Sequence, residues 1–121
     1  MSATDVANHL EFLGYSLDDG DGVFARHERY PNVRIVEKAN GYLMVSWFGT
    51  QGDADQKLEF ANALNQEAMC ARFVIDKDGD FAMETWYPSA YDRTAFAGFM
   101  EMWHRDWAIV TQNPLAQAVL K

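Results

Sequence analysis

The stretch "FVIDKDGDFAMETW", residues 73–86, constrains the fold more than any other part of the chain. Two runs of alternating apolar residues flank a few residues of turn chemistry, so they must pair as an antiparallel hairpin. Charge selects the register. A three-residue loop of Lys77, Asp78 and Gly79, with Gly79 left-handed in a bulge, sets Ile75 opposite Phe81, Phe73 opposite Met83, Val74 opposite Ala82 and Arg72 opposite Glu84. A two-residue loop would set Phe73 against Glu84 and bury a lone carboxylate, at a cost on the order of 3–5 kcal/mol. The aspartates at 76, 78 and 80 therefore serve the turn. As a calcium loop starting at Asp76 the segment fails, because Phe81 and Tyr87 stand where Gly and a bidentate Glu are required.

The remaining elements follow from periodicity and punctuation. Residues 4–13 read as a helix capped by Thr4 or Asp5, with Val6, Leu10 and Leu13 on one face, Phe12 at its edge and Gly14 as the stop. An acidic loop, "LDDGDG", follows. Strands are expected at 23–28, 33–38 and 42–48, the last two joined by the tight turn "ANG". Asp53 and Gln56 form a capping box ahead of a helix over 54–68. After the 73–86 hairpin, Asp92 or Ser89 opens a long helix whose stripe is Phe96, Phe99, Trp103, Trp107 and Val110. Pro114 ends it, and a short helical tail comes next. The expected fold is α+β, in the order α-β-β-β-α-β-β-α, with a five-stranded antiparallel sheet and helices mainly on one face. The whole chain, residues 1–121, is read as one domain.

Little chemistry is written in this sequence. Ten basic residues among eighteen acidic ones give a net charge of −8, which argues against nucleic acid and against an anionic membrane as partners. No apolar run reaches the length of a membrane helix. Cys70 is the single cysteine, which fits a cytoplasmic setting and a small buried apolar role better than a nucleophile. His9, His27 and His104 lack metal spacing and read as surface residues. Asp18, Asp19 and Asp21 have the right type for acid–base work but no marked pocket. No nucleophile elbow, phosphate loop or dinucleotide fingerprint is present. No enzyme activity, metal or cofactor is expected.

Faces of the sheet follow from register. A three-residue "ANG" loop, with its glycine in a bulge, places Val33, Ile35, Leu43, Val45 and Trp47 on the core side. The second side then carries Val36, Tyr42, Met44, Phe48, Val74 and Trp86, an apolar patch interrupted by charge, and these are the expected partner-binding residues. Met44 suits adaptable binding because its side chain is flexible and polarisable. Leu58, Ala61 and Leu64 on the second helix are the expected dimer contact. An alternative is a small-molecule-sensing domain with its pocket between the last helix and the sheet.

The segment "NALNQEAMCARFVIDKDGDFAMETWYP", residues 62–88, resembles the YbjN-like family, which shares the fold of type III secretion chaperones. The pattern is a helix end with asparagines, here Asn62 and Asn65, then a strand, a D-x-D-G turn, an apolar strand and a closing long helix. The element order over residues 4–112 agrees. The resemblance implies a cytoplasmic homodimer without known chemistry, of a type labelled as sensory-transduction regulators. Chaperones of similar fold hold an extended client segment against apolar grooves, with some strand addition. The reading is therefore a non-enzymatic protein-binding module, chaperone-like or regulatory, that holds a partner segment on the sheet face of a homodimer.

Overall fold

A sheet with one apolar face and helices with one apolar stripe are stable only when packed together. The computed structural model, which describes residues 3–18 and 22–121, shows that packing. Helix α1 (Ala3–Phe12) leads into strands β1 (Ser16–Leu17), β2 (Val23–Arg26), β3 (Val33–Lys38) and β4 (Gly41–Phe48). Helix α2 (Ala54–Glu67) precedes β5 (Arg72–Ile75) and β6 (Phe81–Tyr87), and α3 (Arg93–Gln112) and α4 (Ala116–Val119) close the chain. The sheet is antiparallel throughout, in the order β1-β2-β3-β4-β6-β5. It has six strands where five were expected, because β1 adds a two-residue edge through Ser16 opposite Arg26 and Leu17 opposite Ala25. Two residues carry no periodicity, so only the pairing reveals this strand. Asp19 and Asp21, read above as candidate acids, lie outside the described residues.

The helix ends obey local chemistry. Asp53 caps α2 through Gln56 N at 2.8 Å, and the Gln56 side chain returns to Asp53 N, closing the capping box. Asp92 caps α3 through Ala95 N at 2.8 Å. Thr4 and Asp5 lie inside the first turn of α1, which begins at Ala3, so neither holds the N-cap position.

The two hairpins came out differently. β5 and β6 pair as expected, with Phe73 opposite Met83, Arg72 opposite Glu84, and Gly79 at φ 85°. β3 and β4 do not. Lys38 pairs with Gly41, Ile35 with Met44 and Arg34 with Val45, so the loop is only Ala39 and Asn40. Gly41 has no positive φ. Its role is close approach: a methyl group there would lie 2.0 Å from the Tyr87 carbonyl oxygen of β6 and 3.1 Å from the Trp86 ring.

That slip of one residue exchanges the two faces of β4. Tyr42, Met44 and Ser46 are buried with Val33, Ile35, Phe73, Phe81 and Met83, and the covering helices add Val6, Leu10, Phe60, Leu64, Phe96, Phe99, Met100 and Trp103. Leu43, Val45 and Trp47, expected in this core, stand on the other side of the sheet, where Leu43 lies opposite Trp86 and Trp47 opposite Ala82.

Candidate functional site

The cross-strand pairs sort the open face of the sheet into three rows. Val36, Leu43 and Trp86 form the first. Arg34, Val45, Glu84 and Arg72 form the second, and Trp47, Ala82 and Val74 the third. The helices pack against the opposite face, in one cluster with its buried residues. Trp47 is 56% exposed and Trp86 42%, among the most exposed large apolar residues described. Val45 and Ala82 are nonetheless buried, because they lie low beside larger side chains on the same face. Arg72 pairs with Glu84 across the sheet, and Arg26 lies over the Phe24 ring and pairs with Asp18 at 2.9 Å. Phe24 stands opposite Arg34 and extends the apolar surface toward β2.

Three of the six expected partner-binding residues, Val36, Val74 and Trp86, stand on this open face. Tyr42, Met44 and Phe48 do not, and their placement is corrected. Tyr42 is 3% exposed and Met44 is fully buried, while Phe48 stacks on Trp107 of α3 at 5.3 Å between ring centroids. Trp47, Leu43 and Val45 of β4 take their place, beside Arg34 of β3. A two-residue reading of the "ANG" turn would have found them. Of the expected dimer contacts, Ala61 and Leu64 are buried in the chain's own core, and only Leu58 is exposed. The second helix lies on the core side of the sheet, so its apolar stripe is already used.

The β5 edge of the sheet offers less than the face. β5 is an edge strand, but Asn65 of α2 binds both backbone groups of Phe73, accepting from its N–H and donating to its carbonyl at 2.8 Å each. Ala71 N donates to Asp106 at 2.8 Å. Side chains thus occupy the positions an added strand would need.

The titratable groups are engaged in structure. His9, read as surface, is buried and within 2.7 Å of the Tyr91 hydroxyl, and burial, with Arg93 nearby, lowers its pKa. His104, read as a polar flank, stacks on Tyr30 at 3.6 Å and shares a 2.8 Å hydrogen bond with the Tyr15 hydroxyl. His27 packs edge-on against Tyr15 and tilted against Tyr30. Cys70 is half-buried, and burial together with the Asp106 carboxylate pushes its thiol up to about 12, the direction that disfavours the thiolate. Asp76 Oδ1 accepts from Asp78 N and Asp80 N at 2.9 Å, the turn role expected of it. Among the described residues, no group of three or more His, Cys, Asp or Glu side chains is placed to hold a metal ion. No helix described is long and apolar enough to cross a membrane.

His104 is expected to contribute to acid sensitivity in this chain. Burial first, and His27 second, hold its pKa down to about 4, against 6.5 in an open chain. Between those values the unfolded state binds more protons, so the contribution of this side chain to stability is fully present above about pH 6.5 and is lost as pH drops toward 4. The side chain keeps some solvent contact, which trims the full linkage to about 1–2 kcal/mol. Urea midpoints measured from pH 7 to 4.5 are expected to fall in the wild type and to fall less in His104→Gln. Equal slopes would refute the assignment.

No family model matches the sequence, and no curated protein does. Among solved structures, the chain is similar over 100% of its length to the crystal structure of YbjN from E. coli, described as a candidate transcription regulator. The TM-score is 0.75 at 14% sequence identity, with 96% of that chain covered. At this identity the likeness establishes the fold, a YbjN-like α+β arrangement.

Proposed function

We propose that the chain is a non-enzymatic protein-binding module, chaperone-like or regulatory, that takes its partner on the open face of the sheet. The observation that carries this reading is the pair of exposed indoles, Trp47 and Trp86, flanking a face that also bears Val36, Leu43, Val45 and Val74. Their uncovered surface is on the order of 200 Å². Covering it at about 25 cal/mol per Å² would stabilise a complex by about 5 kcal/mol. Aromatic anchors of this kind dominate protein interfaces. The likeness to YbjN supports the scaffold, and that protein's description as a candidate regulator agrees with a role in binding. The alternative of a ligand pocket between the last helix and the sheet has less support, since Phe96, Phe99, Met100 and Trp103 are 0–6% exposed there.

The test is the double variant Trp47→Ser, Trp86→Ser. It is expected to remain folded, with a melting temperature within about 4 °C of the wild type. It should lose, by at least about a hundredfold in affinity, the protein that the wild type retains in affinity capture. Unfolding of the variant would show that the indoles are core, and unchanged capture would place the docking surface elsewhere.

A further inference from the structure

The open face is electrostatically unlike the rest of the molecule. The chain has ten basic and eighteen acidic residues. Yet the strand residues facing this side include Arg26, Arg34, Lys38 and Arg72, and Glu84 is the sole carboxylate among them. Glu84 is neutralised by Arg72, and Arg26 by Asp18. Arg34 and Lys38 are exposed, and among the described residues neither has an ion-pair partner. Arg34 thus sets an unpaired positive charge between the two apolar rows, and Lys38 a second one just beyond the Trp86 row, on a protein whose net charge is −8.

Resting on the reading that this face binds protein, we infer that its occupant is an acidic segment of a different protein, apolar at two points with a carboxylate between them. Alternate residues of a strand are about 6.8 Å apart. The row holding Trp86 and the row holding Trp47 are therefore about 13–14 Å apart, with the Arg34 row midway. An extended segment of the pattern apolar-x-acidic-x-apolar repeats the same spacing. Its apolar side chains meet the two indoles, on β6 and β4, and its carboxylate leans across Val45 toward β3 to meet the Arg34 guanidinium, which can bind it through two parallel hydrogen bonds. The aromatics supply affinity, and the charge selects the partner. A second copy of this chain fits less well. Face to face, each copy would bring an unpaired Arg34 and Lys38 to a surface with the same surplus.

Two synthetic peptides of about eleven residues test this. Both carry Leu at the fourth and eighth positions in a Ser/Gln background, and the sixth position is Asp in one and Lys in the other. Fluorescence anisotropy at low salt is expected to show the Asp peptide binding about tenfold tighter. The preference should shrink as salt is raised and reverse in the folded variant Arg34→Glu, Lys38→Glu. Trp47→Ser, Trp86→Ser should abolish binding of both peptides. Equal binding of the two peptides, lost in the tryptophan variant, would overturn the acidic partner while leaving the docking face intact. Binding of neither at about 1 mM would overturn the proposed pattern. Sedimentation showing a wild-type dimer that the tryptophan variant breaks would make the occupant a second copy and overturn the proposal.

Discussion

Replacing Asp106 by Ala is expected to destabilise the protein by about 3–5 kcal/mol, a large share of the roughly 5–15 kcal/mol that holds a domain of this size. Asp106 lies in α3 and is fully buried. Its Oδ1 accepts from Met69 N at 2.9 Å, and its Oδ2 accepts from Cys70 N at 2.9 Å and Ala71 N at 2.8 Å. Three consecutive N–H groups of the chain entering β5 thus converge on one carboxylate. Hydrogen bonds to a charged group are worth about 1.5–3 kcal/mol each, and the donors at 70 and 71 have little water to turn to. The same segment is held from the other side, where Thr85 Oγ1 donates to the Cys70 carbonyl at 2.9 Å. Asp106→Asn keeps one acceptor oxygen and presents an N–H₂ group to the remaining donors, so about half the loss is expected. Urea unfolding of both variants checks the order. A loss below about 1 kcal/mol in Asp106→Ala would mean that water replaces the carboxylate. Hydrogen exchange offers a second measure, with faster exchange expected first at Ala71 and then along β5.

The sequence shows why Asp106 escaped notice while its neighbours did not. Phe99, Trp103 and Val110 announce the buried stripe of α3 by their spacing, and Asp106 falls on that stripe, but nothing local in the sequence says what partners a carboxylate would find there. Only the path of a chain segment 35 residues away brings the backbone donors to it. The aromatic cluster of Tyr15, His27, Tyr30 and His104 was hidden for the same reason, since its members come from three separate regions and share no pattern. Local signals carried much further. The capping box at Asp53, the cap at Asp92 and the register of β5 and β6 each rest on residues within reach of one another in sequence. Of the open face, Val36, Val74 and Trp86 could be named in advance. Tyr42, Met44 and Phe48 were misplaced by a single wrong inference at the "ANG" turn, where a glycine was read as a device for positive φ.

Gly41→Ala is the second variant of large expected effect, and it tests that inference directly. A glycine needed for positive φ would lose about 1 kcal/mol on gaining a methyl group, the strain of a left-handed residue. Gly41 has an ordinary φ, so that cost does not arise. Its new Cβ would instead lie 2.0 Å from the Tyr87 carbonyl oxygen, well inside contact distance, and the obstacle is backbone in a paired strand. Relief requires β4 to move away from β6 at the end where Tyr42 faces Tyr87. Both tyrosines are buried there, and Tyr87 packs edge-on against Phe96 and Phe99 of α3 at 5.4 and 5.2 Å. The disturbance therefore reaches the helix–sheet core, and a loss of about 3 kcal/mol is expected, at the upper end for overpacking. The Trp86 ring, 3.1 Å from the same methyl position, must shift as well, so its fluorescence should change together with stability. Asn40→Gly provides the contrast. The adjoining turn position is exposed and, with no non-glycine residue at positive φ among the described residues, is unstrained, so this change should alter stability by less than about 1 kcal/mol. Comparable small losses in the two variants would return Gly41 to the role of a turn glycine and would undo the two-residue register that places Trp47 on the open face.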